Sequence, residues 1–392
     1  MEPCSTDLRD RRSRVEMTFP SKSFVVVRRG WLGAPLRGNR YTDPGCQGRL
    51  YSKFMKSVKP RRKTAKYPGE DALVDRVRRA FWTPGSASSL RVAIGDDAAV
   101  WRPTPGHEVI LTCDWFLEGT HFLLDRHPAH SVGWKALARA ASDLAAMGAA
   151  PRCFLLSLAL PVSVTGRWLE DFLRGLRAAS QNFNCHAAGG DTTRRDRVLI
   201  NLTVVGECRD GRAVLRGGAR PGDALFVSGR LGEAEYGLRL MQQNASRRNV
   251  RDPHLRKHLY PQPRLAAGTW LAERRLASAM LDLSDGLSTD LPRLCQASAV
   301  GACLEAQRIP GPRISKAGAR KFDSLSLALH GGDDYELLFT VRPEHIPQIP
   351  RRIAGVPVTL IGQITREKEI LLVAENRNKS PLPQRGWDPF KK

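Results

Sequence analysis

Six short aspartate-bearing turns recur along this chain, and they limit what it can fold into. They are Gly95-Asp96-Asp97, Thr112-Cys113-Asp114, Ser142-Asp143, Gly189-Gly190-Asp191, Asp282-Leu283-Ser284-Asp285-Gly286 and Gly331-Gly332-Asp333-Asp334. Most follow or interrupt apolar β-type runs, which predicts carboxylates where strands end. Carboxylates gathered in one place repel one another unless a cation lies between them. Magnesium takes oxygen ligands and keeps several waters, so one or two carboxylates per ion suffice when phosphate oxygens complete the shell. Several such turns therefore point to several magnesium ions around a polyphosphate. With 62 Lys and Arg against 39 Asp and Glu, a net charge of +23, acids are the minority charge, and their clustering is the more informative for it.

Between the turns, helical and strand patterns mix. Leu73, Val74, Val77 and Phe81 have helical spacing from Glu70 onward, and 91–94 and 109–112 read as strands. The Ala-rich stretch from Ser131 to Met147 reads as a helix that Gly148 stops. A strand at 155–160, a helix at 168–180 and a β-branched strand at 198–205 complete a first unit. Turn formers crowd 209–223 and mark a boundary. A strand at 225–229, a helix near 233–242 and strands at 336–341, 356–364 and 370–373 make a second unit. The predicted fold class is α/β, of the α+β type, with domains at 69–210 and 211–392 and a cleft between them.

A chain of 392 residues is long enough for two cores. Its mean hydropathy of −0.34 and the lack of any apolar run near the roughly 20 residues a bilayer requires argue against a membrane protein. The polar, charged N-terminus does not read as a secretory signal, so the expected compartment is the cytoplasm. Eight cysteines without a C-x-x-C pair exclude zinc-ribbon and thioredoxin-type motifs. Residues 1–68 hold 17 Lys and Arg against 5 Asp and Glu and read as a disordered basic extension. Three readings of it compete. It could be a nucleic-acid-binding arm, or a targeting peptide, which Glu2, Asp7, Asp10 and Glu16 oppose. The preferred expectation is an over-long translation, with Met55 the start.

Taken one by one, the acidic turns are ambiguous. Asp97 and Asp114 could be ordinary turn or strand-exit residues. Asp143, a poor helix former among alanines, points to an inward, functional carboxylate, although Arg139 four residues earlier offers a surface ion pair. Glycines 189 and 190 would let backbone N–H groups approach a phosphate, with Asp191 holding its metal. Asp282 and Ser284 share one face of an extended segment, and Asp285 reads as a helix N-cap. Arg216 and Arg220 could clamp phosphate. His121 has no metal-spaced partner and reads as structural. No phosphate-binding lysine loop, protein-kinase signature, dinucleotide fingerprint or Ser-His-Asp pairing is present.

In order, these segments resemble the thiamine-monophosphate kinase family. The resemblance rests on 94–100, 114–122, 141–149, 189–193, 281–287 and 331–337, and covers about residues 69–390. That family shares a superfamily with aminoimidazole-ribonucleotide synthetase and selenophosphate synthetase. The resemblance implies a homodimer whose N-terminal domains pair their sheets, and direct in-line transfer of the ATP γ-phosphoryl group to thiamine phosphate. It further implies magnesium ligands at Asp97, Thr112, Asp114, Asp143, Asp191, Asp282 and Asp285, with a monovalent cation as a further option. ATP contacts fall at Gly190, Asp191, Arg216 and Ser284. Thiamine phosphate contacts fall at His121, Asp333 and Trp387, so the resemblance gives His121 a role that its isolation does not. Three positions depart from the pattern: Cys113 where a hydroxyl residue is frequent, Asp333 where Glu is common, and Pro389 in the C-terminal signature. The alternatives are another ATP-dependent synthetase of the superfamily and a non-catalytic basic nucleic-acid-binding protein.

Overall fold

The structure is a computed structural model that describes residues 69–81, 89–243, 252–314 and 316–387. The expectations for the basic extension, for Met55 and for Pro389 lie outside the described residues. The first half runs α1 (Glu70–Phe81), β1 (Leu90–Val92), β2 (Val100–Trp101), β3 (His107–Leu117), α2 (Ala129–Ala146), β4 (Ala150–Leu160), α3 (Arg167–Phe183), β5 (His186–Arg194) and β6 (Leu199–Arg209). The second begins with β7 (Ala224–Ser228), α4 (Glu233–Gln243), α5 (Pro253–Leu259), α6 (Leu265–Glu273) and β8 (Ala277–Leu283). It continues with α7 (Leu287–Ser298), β9 (Gly301–Glu305), α8 (Lys316–Ala319), α9 (Ser324–His330), β10 (Glu336–Val341), β11 (Arg352–Ile353), β12 (Val356–Thr365), β13 (Ile370–Val373) and β14 (Lys379–Pro381). No helix among the described residues is long and apolar enough to cross a membrane.

The first half folds as a four-stranded sheet in the order β3-β6-β4-β5, antiparallel except for the parallel β4/β5 pair. Helices α2 and α3 cover one face, because their apolar stripes meet the inward side chains of the strands. Leu137, Leu144, Phe154, Leu158, Phe172 and Leu176 are buried in that core. The two helices cross very closely. A Cβ on Gly175 would fall 1.8 Å from the His130 carbonyl oxygen, so any other residue there would push α2 and α3 apart.

Among the described residues the other face of this sheet is left open over much of its area. Val109, Leu111 and Trp115 on β3 and Leu155 on β4 point outward from it and are exposed, Leu111 to 67 %. The second half is a larger sheet, β14-β13-β9-β12-β7-β10-β8, with β11 paired to β12. A core of Leu281, Leu291 and Leu338 lies on one of its faces. Another core joins Phe226, Phe339 and Leu271 to Ala145 and Ala146 at the end of α2, which ties the two sheets together. Gly148, with φ of 73°, supplies the left-handed stop after α2.

The prediction of aspartates at strand ends needs correcting. Asp114 lies within β3 and Asp191 within β5, both of which run on for several residues. Asp333 precedes β10 instead of following a strand. A polar residue beside an apolar run resembles a strand exit. Here it is the ordinary alternation of a strand whose two faces meet different surroundings.

Candidate active site

Helix α2 and the end of β8 bring two carboxylates together. Asp143 accepts a hydrogen bond from Thr112 Oγ1 of β3 at 2.5 Å, and Asp282 accepts one from Ser142 Oγ at 2.7 Å. Asp143 is thus turned inward, and its partner is not Arg139. Burial, and then the neighbouring Asp143 charge, push the Asp282 carboxyl up to about 7. Asp143 is raised by burial and by the charge of Asp114, despite the Thr112 hydroxyl and the counteracting charges of Arg216 and Arg139. The hydrogen-bond donors these two side chains receive from other residues are neutral hydroxyls. The pair is therefore short of positive charge.

The wall beside it is different. Arg139, one turn before Asp143 on α2, donates to both oxygens of Asp114 at 3.0 and 3.2 Å and stacks over the Phe116 ring. Arg139 also approaches Asp333 Oδ1 at 3.6 Å, while the buried Lys135 ammonium donates to Asp333 Oδ2 at 2.7 Å. The Tyr335 hydroxyl donates to Asp333 Oδ1 at 2.7 Å. Burial alone would raise the Asp333 carboxyl, but the charges of Lys135 and then Arg139 hold it well below the usual carboxylate range. His121 is pushed down to about 4, chiefly by burial and then by Arg139, so the ring is neutral at physiological pH. Its Nδ1 accepts from the Leu117 N–H at 2.9 Å, which leaves the proton on Nε2.

At the start of α7 the expected N-cap is corrected. Asp290, in the first turn, accepts from the N–H groups of Asp285 and Gly286 at 2.9 and 3.1 Å. The Asp285 side chain instead receives Arg293 at 2.7 Å. The Trp387 N–H donates to the Asp285 carbonyl at 3.0 Å and holds the half-exposed indole beside the cleft.

A cleft of about 540 Å³ collects these groups: Asp114, His121, Asp143, Asp282, Ser284, Asp285, Asp333 and Trp387 all line it. Thr112 lies behind Asp143. Arg216 is exposed in the connection from β6 to β7, near enough to Asp143 for its charge to act there. The remaining expected residues are elsewhere. Asp97 is exposed between β1 and β2, where its N–H binds Asp96 Oδ1 at 2.8 Å, so Asp96 serves the turn. Gly190 and Asp191 sit on the edge strand β5, across the sheet from Asp114, a separation of roughly 14 Å over three strand gaps. Asp191 pairs in register with the outward Ser157 and so belongs to the open face. Gly190 also has a packing reason: its Cβ would lie 1.9 Å from the Leu156 carbonyl oxygen of β4.

Among the described residues no three His, Cys, Asp or Glu side chains converge as a metal-holding group. The donor chemistry of the Asp143–Asp282 pair nevertheless fits magnesium, with two hard oxygen ligands whose hydrogen-bond partners are hydroxyls rather than cations. Lys135, His258, Tyr335 and Asp290 went unrecognised in the sequence. A lysine in an Ala-rich helix, one turn before Arg139, was the available signal for the first.

Residues 95–208 match the family model of the AIR synthase related protein N-terminal domain, and 220–374 that of its C-terminal domain. The chain is 36 % identical over 335 residues to the thiamine-monophosphate kinase of Escherichia coli (strain K12), covering 82 % of this chain and 98 % of that protein. The crystal structure of thiamine-monophosphate kinase from Stenotrophomonas maltophilia K279a superposes with a TM-score of 0.67 at 34 % identity, over 76 % of this chain and 95 % of that one. AaThiL complexed with AMPPCP and TMP superposes with a TM-score of 0.65 at 30 % identity, over 82 % and 97 %.

Proposed function

The chain belongs to the thiamine-monophosphate kinase family of AIR synthase related proteins, and on that premise we propose that it transfers the γ-phosphoryl group of ATP to the phosphate of thiamine phosphate. The observation that carries this is the pairing, in one cleft, of two carboxylates short of positive charge with a neighbouring wall neutralised by its own cations. A phosphate acceptor is already ionised, so the reaction needs alignment and charge neutralisation more than a strong base. Asp143, Asp282 and Asp285, with Thr112 and Asp114 beside them, would hold magnesium, which when bound neutralises phosphate oxygens. Ser284 and Arg216 would orient ATP. The neutral His121 offers its Nε2–H to the acceptor phosphate, and Trp387 offers an aromatic face to the cationic ring.

The open apolar face of the first sheet supports a homodimer, in which Val109, Leu111, Trp115 and Leu155 would be covered by the same face of a second copy. Asp191 shares that face and would then meet the partner's sheet, whereas Gly190, one residue earlier on the strand, faces the core side. Sedimentation of the purified protein at the monomer mass would remove this part. We divide the folded chain at 210/211, in the connection between the two sheets. The described cysteines are all free, in keeping with the reducing cytoplasm that we propose as its compartment.

The test is the full chain assayed with ATP, Mg²⁺ and thiamine phosphate, following thiamine diphosphate. Turnover is expected; silence with this acceptor beside turnover of another would overturn the proposal.

A further inference from the structure

Phosphoryl transfer gives no direct task to the buried Lys135 ammonium. Lys135 is 1 % exposed, lies in α2 and reaches across the seam between the two halves. Its ammonium donates to Asp333 Oδ2 at 2.7 Å and approaches His258 Nδ1 at 3.4 Å. Nε2 of His258 meets Nε2 of His127 at 3.1 Å. Nδ1 of His127 in turn donates to the Leu123 carbonyl oxygen at 3.3 Å, and Leu123 lines the cleft. On the other side of Asp333 stand Tyr335 and Arg139, and Arg139 continues to Asp114. An unbroken series of polar contacts thus runs from the loop after β3 to the strand β3 itself, passing through α5 and the turn before β10.

A buried lysine is costly and persists only when paired, and an apolar side chain of similar volume would hold the seam at less cost. Both Asp333 oxygens already have internal donors. The acceptor therefore meets Asp333 in an orientation dictated from behind, by Lys135. The Asp143–Asp282 pair is held separately, through Thr112 and Ser142.

We propose that Lys135 is a positioning residue for the acceptor. It fixes the Asp333 carboxylate and, through His258 and His127, the loop that carries His121 and Leu123, so that both form one rigid wall for the organic, cationic part of thiamine phosphate. This rests on the kinase reading above, and the two fail in different ways: a wild-type protein without turnover sinks that reading. With an active wild type, the test is Lys135→Met in the full chain, varying each substrate in turn. The KM for thiamine phosphate should rise about tenfold or more while the KM for ATP stays within about twofold. Calorimetry with thiamine phosphate alone should show the same loss. Equal effects on both substrates, or no effect, would overturn the proposal, because a merely structural lysine does not separate them. Should Lys135→Met fail to fold, Lys135→Arg and His258→Asn keep a polar partner in place and carry the same measurement. Each is expected to raise the thiamine phosphate KM about threefold or more with the ATP KM unchanged, and equal or absent effects again overturn the idea.

Discussion

On one wall of the cleft, Asp143 and Asp282 take hydrogen bonds from the hydroxyls of Thr112 and Ser142; on the other, Asp114 and Asp333 are gripped by Arg139 and Lys135. The residue type is the same, and both sets lie where the two sheets meet. The difference is the source of the positive charge. Fixed cations from α2 neutralise the second set permanently. The first set depends on something that arrives with the substrate, which suits a site that binds and releases a metal–nucleotide complex. On the proposed reading, the carboxylates gripped by Arg139 and Lys135 shape the wall, and the Asp143–Asp282 pair would carry the main metal-holding role.

Substitution breaks this contrast most directly. Asp143→Asn should lower turnover by about a thousandfold, the order of effect expected when a transition-state charge loses its stabilisation, while the protein stays folded. Without magnesium it should be no less stable than the wild type by thermal melting, since removing one of two repelling carboxylates relieves strain. Near-normal turnover would end the idea of a metal-holding pair. Asp333→Asn should do the reverse to stability. Leaving the Lys135 ammonium buried and half-satisfied should cost about 3–5 kcal/mol, measured by denaturant unfolding. A loss below about 1 kcal/mol, the range of a surface ion pair, would mean that the wall is not locked by this charge.

The smallest effect concerns pH. The Asp282 carboxyl titrates near 7 in the folded protein, well above its ordinary value, so the native state holds a proton that the unfolded chain has already lost. Stability of the magnesium-free protein should therefore fall as pH rises from about 4 toward 7 and level off above it. Asp290, also pushed up to about 7 by burial, adds to the same window. Magnesium must displace the proton on Asp282, so the rise in melting temperature it produces should be larger at pH 8 than at pH 6. In Asp143→Asn this difference should shrink. An equal shift at both pH values in the wild type would remove the charge-deficient pair.

Much of the fold was legible from periodicity. Helices α1, α2 and α3 and strands β7 and β10 lie close to where their apolar patterns place them, because burial on one face imposes a period that survives in the sequence. Strand β5 was missed, since its Gly-Gly-Asp-Thr-Thr run carries little apolar signal and reads as a turn. The site was partly legible for the same reason: acids beside apolar runs are conspicuous in a basic chain. Lys135 and His258 were not, because a lone lysine in a helix normally reads as a solvated side chain.

By itself the sequence determined most of the helices and strands, the six aspartate-bearing segments, and the family to which their order belongs. Only the tertiary structure decided which acids share a cleft and which meet a fixed cation. Asp114 and Asp143 are 29 positions apart and Asp333 lies in the other half of the chain, so their charge states depend on distances that no local pattern records. Arg139 could have paired with Asp143 four residues away on the same helix. The packing of α2 across β3 and against the second sheet turned it to Asp114 and Asp333 instead, and that left Asp143 and Asp282 short of positive charge.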